Sequence, residues 1–141
     1  MTVFLGNYPI PTDNGTAYER QRDVIKSAIQ TYGADHVGGI TVGNEFMLKL
    51  VLFSCYFRTK LMSNVFTCSY VNANGVSDPN SDVANTGAQI LIGNIQDTRS
   101  MLTGLGVSLP VGNADAGSYF NNEVLAAVDY GVRCFLSLTP W

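Results

Sequence analysis

The residues best suited to chemistry in this chain are Asn44 and Glu45, which directly follow an apolar, β-branched run. Ile40, Thr41 and Val42 favour a buried, pleated backbone, so we predict a strand that ends at the amide and the carboxyl. α/β barrels keep catalytic groups at that edge. An apolar strand end can raise a carboxyl pKa enough for proton donation near neutral pH, as the general acid of glycoside cleavage requires. Glu45 could equally open a helix, because acidic side chains suit a first turn, and these residues alone favour neither interpretation.

The composition is that of a globular chain with one modest core. Of the 141 residues, 46% are hydrophobic and 13% are charged, which argues against disorder. The formal net charge of -3 offers little attraction for nucleic acid or for an anionic membrane surface. The first residues lack a basic region followed by a long apolar region, so we predict a strand there rather than a secretory signal or a membrane span.

Motifs for metal binding and nucleophilic catalysis are incomplete. His36 is the only histidine, and no serine elbow or cysteine partner stands at a useful spacing from it, so we expect neither a hydrolase triad nor a zinc site. Asp78, Asn80 and Asp82 imitate the start of a calcium loop, but Val83 occupies the position that needs glycine. We therefore expect no metal and no cofactor, and the sequence identifies no protein partner.

Strand and helix signals alternate along the chain. The patterns predict three strands and a possible fourth: Val3 to Tyr8, Val37 to Asn44, Leu109 to Ala114, and Phe135 to Leu138. The first helix has an apolar face that we expect to be buried, formed by Tyr18, Ile25, Ala28, Ile29 and Tyr32. The order βαβαβα implies an α/β protein with parallel strands and helical crossovers.

Polar residues, prolines and glycines mark the helix ends. Thr16 and Glu19 have capping-box spacing at the start of the first helix. We predict the pair Asp78-Pro79 as N-cap and first-turn proline of the second helix, and Asn122 as N-cap of the third. The predicted stops are glycines, namely Gly33 for the first helix and Gly104 with Gly106 for the second.

Four segments resemble fungal cell-wall glucan endo-1,3-β-glucosidases of glycoside hydrolase family 17: Leu5 to Pro9, Gly39 to Leu48, Asp78 to Leu105, and Leu109 to Asp115. The resemblance covers most of the chain. It implies that residues 1–141 are part of a TIM (β/α)8 barrel, from its third strand to its fifth or sixth. It also implies a retaining hydrolase of β-1,3-glucan, secreted or in the cell wall, with Glu45 as general acid/base at the end of the fourth strand.

Three further residues are candidates for substrate binding. By the same resemblance, Asn44 would help to orient the sugar 2-hydroxyl or the catalytic carboxyl. Tyr8, at a strand end, could stack on a sugar ring or pack as a core aromatic. Asp115 could bind sugar at the end of a neighbouring strand, or it could cap a helix or a loop.

Two stretches depart from the family pattern, namely 49–69 and the tail 132–141. The first is basic and contains no acid, and all three cysteines, Cys55, Cys68 and Cys134, lie in these two stretches. We interpret both as translated introns, since the codons for Lys49-Leu50-Val51 can contain a splice donor and those for Cys68-Ser69 an acceptor. The alternative is a natural amphipathic insertion followed by a divergent strand.

The chain is short for the activity that the resemblance implies. A barrel of this type needs about 250 residues, and a retaining glycosidase needs two carboxyls about 5–5.5 Å apart. By resemblance, the nucleophile would lie on a strand beyond Trp141. We therefore expect a barrel fragment of hydrolase ancestry, and the alternative is a catalytically inactive fragment or a glucan-binding remnant.

Overall fold

The computed structural model describes residues 1–9, 14–44, 46–47, 78–116 and 120–134. Glu45, the atypical stretch 49–69 and the possible strand at Phe135 to Leu138 lie outside these described residues.

Four parallel strands and three helices alternate along the described chain. In order they are β1 (Val3–Asn7), α1 (Thr16–Tyr32), β2 (Val37–Asn44), α2 (Asp82–Gly104), β3 (Val111–Ala116), α3 (Asn122–Ala127) and β4 (Tyr130–Cys134). The strands form one sheet in the order β1-β2-β3-β4, and every neighbouring pair is parallel. This confirms an α/β fold with parallel strands and helical connections. The fourth described strand, β4, precedes the predicted strand at Phe135 to Leu138. The last three residues of β4 belong to the atypical tail.

The predicted N-caps are displaced from the observed ones. The N-cap of α1 is Gly15, with φ 86°, and this position makes no side-chain cap bond. Thr16 is the first helical residue instead of the N-cap, so the expected capping box is wrong. The cap of α2 is Ser81 rather than Asp78, because the Asp78 carboxylate instead accepts a hydrogen bond from the Asn80 amide in the preceding turn.

The third helix shifts its cap by one residue. Asn121, not Asn122, is the N-cap of α3, and its side-chain oxygen accepts hydrogen bonds from the amides of Glu123 and Val124. The prediction of Asn122 was therefore wrong by one residue, because adjacent asparagines offer the same capping chemistry. The structure favours Asn121 because it is fully buried and its amide also donates to the Pro79 carbonyl at 2.7 Å.

The glycine stops are confirmed. Gly33, with φ 77°, is the C-cap of α1, and its amide donates to the Ile29 carbonyl. α2 ends at Gly104, after which Gly106 takes φ 70°. The Gly106 amide donates to Thr103 and that of Val107 to Leu102, the bond pattern of a Schellman motif. Glycine is required at position 106 because side chains disfavour this left-handed conformation.

One face of the sheet, the helix face, packs against the helices. Ile40, Val42 and Val111 are fully buried there. They join side chains from all three helices, which include Tyr18, Ile25, Ile29, Leu91, Ile95, Leu102 and Val124. Burial of Tyr18, Ile25 and Ile29 confirms most of the predicted face of α1. The prediction for Tyr32 is wrong, because Tyr32 is the last residue of α1 and is 87% exposed.

The opposite face of the sheet, the open face, carries aromatic side chains over glycines. Strand register places Gly39 beside Phe4, and Gly112 beside both Thr41 and Tyr130. The rings of Phe4 and Tyr130 lean toward each other from the two edge strands, with centroids 5.5 Å apart in an edge-to-face arrangement. The hydroxyls of Tyr130 and Thr41 are 2.9 Å apart. Phe4 is still 59% exposed, so this face is uncovered at β1.

Candidate functional site

A β-bulge at Val42 and Gly43 determines which side chains reach the carboxyl edge of the open face. Thr41 pairs with Gly112, but the next pair joins Asn44 to Ala114, so β2 has one extra residue. Gly43 has φ 83°, and a Cβ atom there would meet Leu91 of α2, so positions 42 and 43 both face the helices. Two successive residues on one face are the signature of a bulge. Asn44 consequently shares the open face with Ala114.

Tyr8 and Asn44, two of the candidate substrate-binding residues, meet at this edge. The Asn44 side-chain amide donates to the Tyr8 hydroxyl at 3.4 Å, and both residues are partly buried. The side chain of Gln21 on α1 pairs with the Tyr8 backbone, accepting from its amide at 2.9 Å and donating to its carbonyl at 3.1 Å. Gln21 thus fixes the end of β1, and Tyr8 presents its ring and hydroxyl beside an amide that can bond sugar hydroxyls.

Asp115 lies on the other face of the sheet. It follows Val111 and Asn113 at alternate positions of β3, is fully buried, and accepts a hydrogen bond from the Met47 amide at 2.9 Å. Met47 is helical, so this contact corresponds to the helix-capping alternative for Asp115. Sugar binding by Asp115 stays a prediction.

Two asparagines flank Val42 on the helix face, and the sequence analysis did not identify either. Asn7 pairs with Val42 in the sheet and donates to the Tyr18 carbonyl, whereas Asn113 donates to the Val42 carbonyl at 2.9 Å. Both are at most 2% exposed, and their side-chain oxygens have no hydrogen-bond partner among the described residues. The available sequence signal was a pair of polar residues, Asn113 and Asp115, at alternate positions of an otherwise small and apolar strand.

The described residues also line cavities among the helices and loops. One of about 470 Å³ opens between α1 and α2 and is lined by Tyr18, Arg22 and Asp97 among others. These side chains bond one another: the Asp97 carboxylate accepts from the Tyr18 hydroxyl and from the Arg22 guanidinium, each at 2.8 Å. Burial raises the pKa of Tyr18, which keeps the hydroxyl protonated. The cluster therefore joins the two helices through paired groups.

Among the described residues, no three His, Cys, Asp or Glu side chains gather as they would around a metal ion. Within the same residues, no helix has the length and apolar character needed to cross a membrane.

The fold and the site define the class of this chain as an α/β protein with a four-stranded parallel sheet and polar groups at its carboxyl edge. Comparisons with protein-family models, with curated proteins and with solved structures give no match.

Proposed function

We propose that this chain belongs to the lineage of retaining β-1,3-glucan hydrolases that its sequence resembles, with Glu45 as the general acid/base. The observation that carries the proposal is the contact between Asn44 and Tyr8 at the carboxyl edge of a parallel sheet. Catalytic groups of α/β barrels come from that edge. The residue after Asn44 is the carboxylic acid that glycoside cleavage needs.

The sheet supports a barrel origin through its strand order. Consecutive strands are neighbours throughout, without the reversal of order that marks a doubly wound sheet. The helices pack on one face, and the other carries Phe4, Thr41 and Tyr130, as the interior of a barrel would. We propose that β1 to β4 correspond to strands three to six. The exposed Phe4 ring would then pack against later strands of the complete barrel.

The chemistry would follow from two carboxyl groups. Glu45 would donate a proton to the glycosidic oxygen as the bond to the leaving glucan breaks. A carboxylate on a later strand, outside this chain, would attack the anomeric carbon and form a glycosyl intermediate. Glu45 would then deprotonate the water that hydrolyses it. Asn44 would hold the sugar 2-hydroxyl or the catalytic carboxyl, and the reaction needs no cofactor.

A second candidate function is glucan binding without catalysis. In the described strands, Asp115 is the only acid among the last two residues of any strand, and its carboxylate is buried against the Met47 amide. The described residues therefore offer no second carboxylate for double displacement on the open face. Within the described residues, this arrangement favours glucan binding without catalysis. The substrate would be the β-1,3-glucan of a secreted or cell-wall location.

Binding and hydrolysis can be tested separately on the purified chain. Titration with β-1,3-linked gluco-oligosaccharides, followed by NMR of the 15N-labelled protein, should shift signals of residues at the carboxyl edge. Tyr8→Ala should weaken this binding about tenfold or more, by loss of ring contact and of a hydrogen bond. Tyr32→Ala is the matched control, because Tyr32 is an exposed tyrosine on the outer helix α1.

The outcomes distinguish the two candidates. Binding without release of reducing sugar supports the remnant, and release that Glu45→Gln abolishes would contradict a missing nucleophile. Equal affinity for α-1,4-linked oligosaccharides, or equal loss in both tyrosine variants, would remove glucan recognition from this edge.

A further inference from the structure

Two side chains of β3 form hydrogen bonds with the backbone before and after position 45. One bond is to β2 and the other is to the chain that follows β2. The Asn113 amide donates to the Val42 carbonyl, and the Asp115 carboxylate accepts from the Met47 amide, each at 2.9 Å. Val42 lies three residues before Glu45 and Met47 lies two residues after it. We propose that Asn113 and Asp115 are positioning residues for the general acid, because they fix the backbone at Val42 and at Met47, before and after it in sequence. This inference rests on the proposed function of Glu45.

The first bond stabilises the bulge. An extra residue in β2 interrupts the regular ladder at Val42 and Gly43, and Asn113 supplies a side-chain donor to the Val42 carbonyl at that point. A Cβ atom on Gly43 would come within 2.8 Å of the Asn113 amide nitrogen, so the two residues fit closely. Because the bulge places Asn44 on the open face, Asn113 acts on the site from behind the sheet.

The second bond fixes the chain after position 45. Asp115 and Met47 are at most 1% exposed, so water cannot readily replace the bond between them. The backbone is thus held at residues 42 and 47, and the chain between them is short.

A packing role alone does not explain why Asn113 is buried. Its side-chain oxygen has no partner in the described residues although the residue is 1% exposed. An unmet buried acceptor lowers stability, so an apolar residue would suit a purely packing role better. A general acid must be held within a fraction of an ångström of its productive position, and this requirement explains polar groups at such a location.

NMR of the unliganded 141-residue chain can test this inference directly. Glu19, Glu45 and Glu123 are the only glutamates, so selective 13C labelling of the glutamate carboxyls gives three signals whose pH titrations can be followed singly. Asp115→Ala should move the Glu45 titration and leave the other two unchanged. It should also speed hydrogen exchange at the Met47 amide roughly 10-fold to 100-fold relative to the Ile40 amide, since a buried hydrogen bond is lost.

Asp129→Ala is the matched control. The Asp129 carboxylate also accepts from a backbone amide, that of Val111, at the opposite end of the same strand. Asp129→Ala tests whether loss of any carboxyl–amide bond on β3 moves the Glu45 signal, and Asp115→Asn tests whether loss of the carboxyl alone does so; the proposal expects the large movement only in Asp115→Ala. Asp115→Asn keeps an acceptor and should restore most of the Met47 protection.

Three results would overturn the inference. They are fast exchange at Met47 in the unmodified chain, an unmoved Glu45 signal in a folded Asp115→Ala variant, and equal movement in Asp129→Ala. If Asp115→Ala does not fold, Asn113→Ala is judged by the same Glu45 signal, and the exchange at Met47 in the unmodified chain decides in any case. No sugar is present in these measurements, so failure of glucan binding is a separate result.

Discussion

Substitution of Gly112 by alanine probes the open face of the sheet most directly. A Cβ atom at position 112 would lie 2.2 to 2.4 Å from three ring carbons of Tyr130, far inside van der Waals contact. The ring cannot move away without loss, because its hydroxyl is bonded to Thr41 and its edge packs on Phe4. Gly112→Ala must therefore displace either the ring or the strand.

The expected loss follows from overpacking and from the contacts that hold the ring. Forcing one extra carbon into a filled site lowers the free energy of unfolding by about 1–3 kcal/mol. For a chain of this length, that corresponds to a melting temperature lower by about 4–12 °C. Gly93→Ala is the matched control, because Gly93 is an exposed residue inside α2 with open space around its Cβ position. It should gain about 0.5–1 kcal/mol through the better helix propensity of alanine.

Urea denaturation provides the assay. It compares the original chain with Gly112→Ala, Tyr130→Ala, their double variant and the Gly93→Ala control. Tyr130→Ala removes the obstructing ring, so the double variant Gly112→Ala/Tyr130→Ala should be more stable than the sum of the single losses by about 1–3 kcal/mol. Additive losses, or a Gly112→Ala variant within about 0.5 kcal/mol of the original chain, would show that the Tyr130 ring does not cover Gly112. The described open face would then be wrong.

Three further predictions address the helix caps, the ion pairs and the atypical stretches. Asn121→Ala should lower the free energy of unfolding by about 1–3 kcal/mol, because Asn121 caps α3 and also bonds Pro79 and Asn85. Asn122→Ala should change it by less than about 0.5 kcal/mol in the same urea titration, and a reversed order would return the cap to Asn122. The hydrogen bond from Arg99, together with the Val111 amide, lowers the pKa of Asp129. A carboxyl pKa that is lowered in the folded state stabilises the fold at pH values above the unfolded pKa of about 3.9, and this stabilisation is lost as the pH falls below that pKa. Asp129→Asn should therefore flatten the acid limb of a plot of unfolding free energy against pH. An unchanged slope would contradict the pairing of Asp129 with Arg99. If the atypical stretches are translated introns, transcript sequencing should find a message in which Leu48 is followed by Asn and then Tyr70, and a message that always retains codons 49 to 69 would refute the intron interpretation.

Element type was predictable from this sequence, whereas element ends often were not. Hydrophobic periodicity is a property of many residues, so the alternation of strands and helices and the parallel sheet were predicted correctly. Glycine stops were also predicted, since Gly33 and Gly106 take positive φ values that other residues disfavour. N-caps were less certain because several polar residues stand near each helix start, and tertiary contacts choose among them, as the bonds of Asn121 show.

The candidate site was predictable to a smaller extent. Asn44 and Tyr8 were predicted at strand ends, and the structure brings them together. Gln21 and Asn113 were not identified, because their roles depend on contacts across 13 and 71 positions of sequence respectively. Local patterns carry no information on such pairs. The bulge was also missed, although a glycine such as Gly43, directly after the β-branched run Ile40 to Val42, is a recognised signal for one.

The bulge determines the face of the sheet on which Asn44 lies, more than any single side chain does. In a regular strand, alternation would place residue 44 on the same face as Ile40 and Val42, against the helices. The extra residue reverses this, and Asn44 instead pairs with Ala114 on the open face. Gly43 permits the reversal through its φ of 83°, and Asn113 bonds the carbonyl that precedes it. The polar edge of β2 is therefore specified jointly by a glycine in its own strand and by an asparagine of β3, so that a change in either should disturb Asn44 without contacting it.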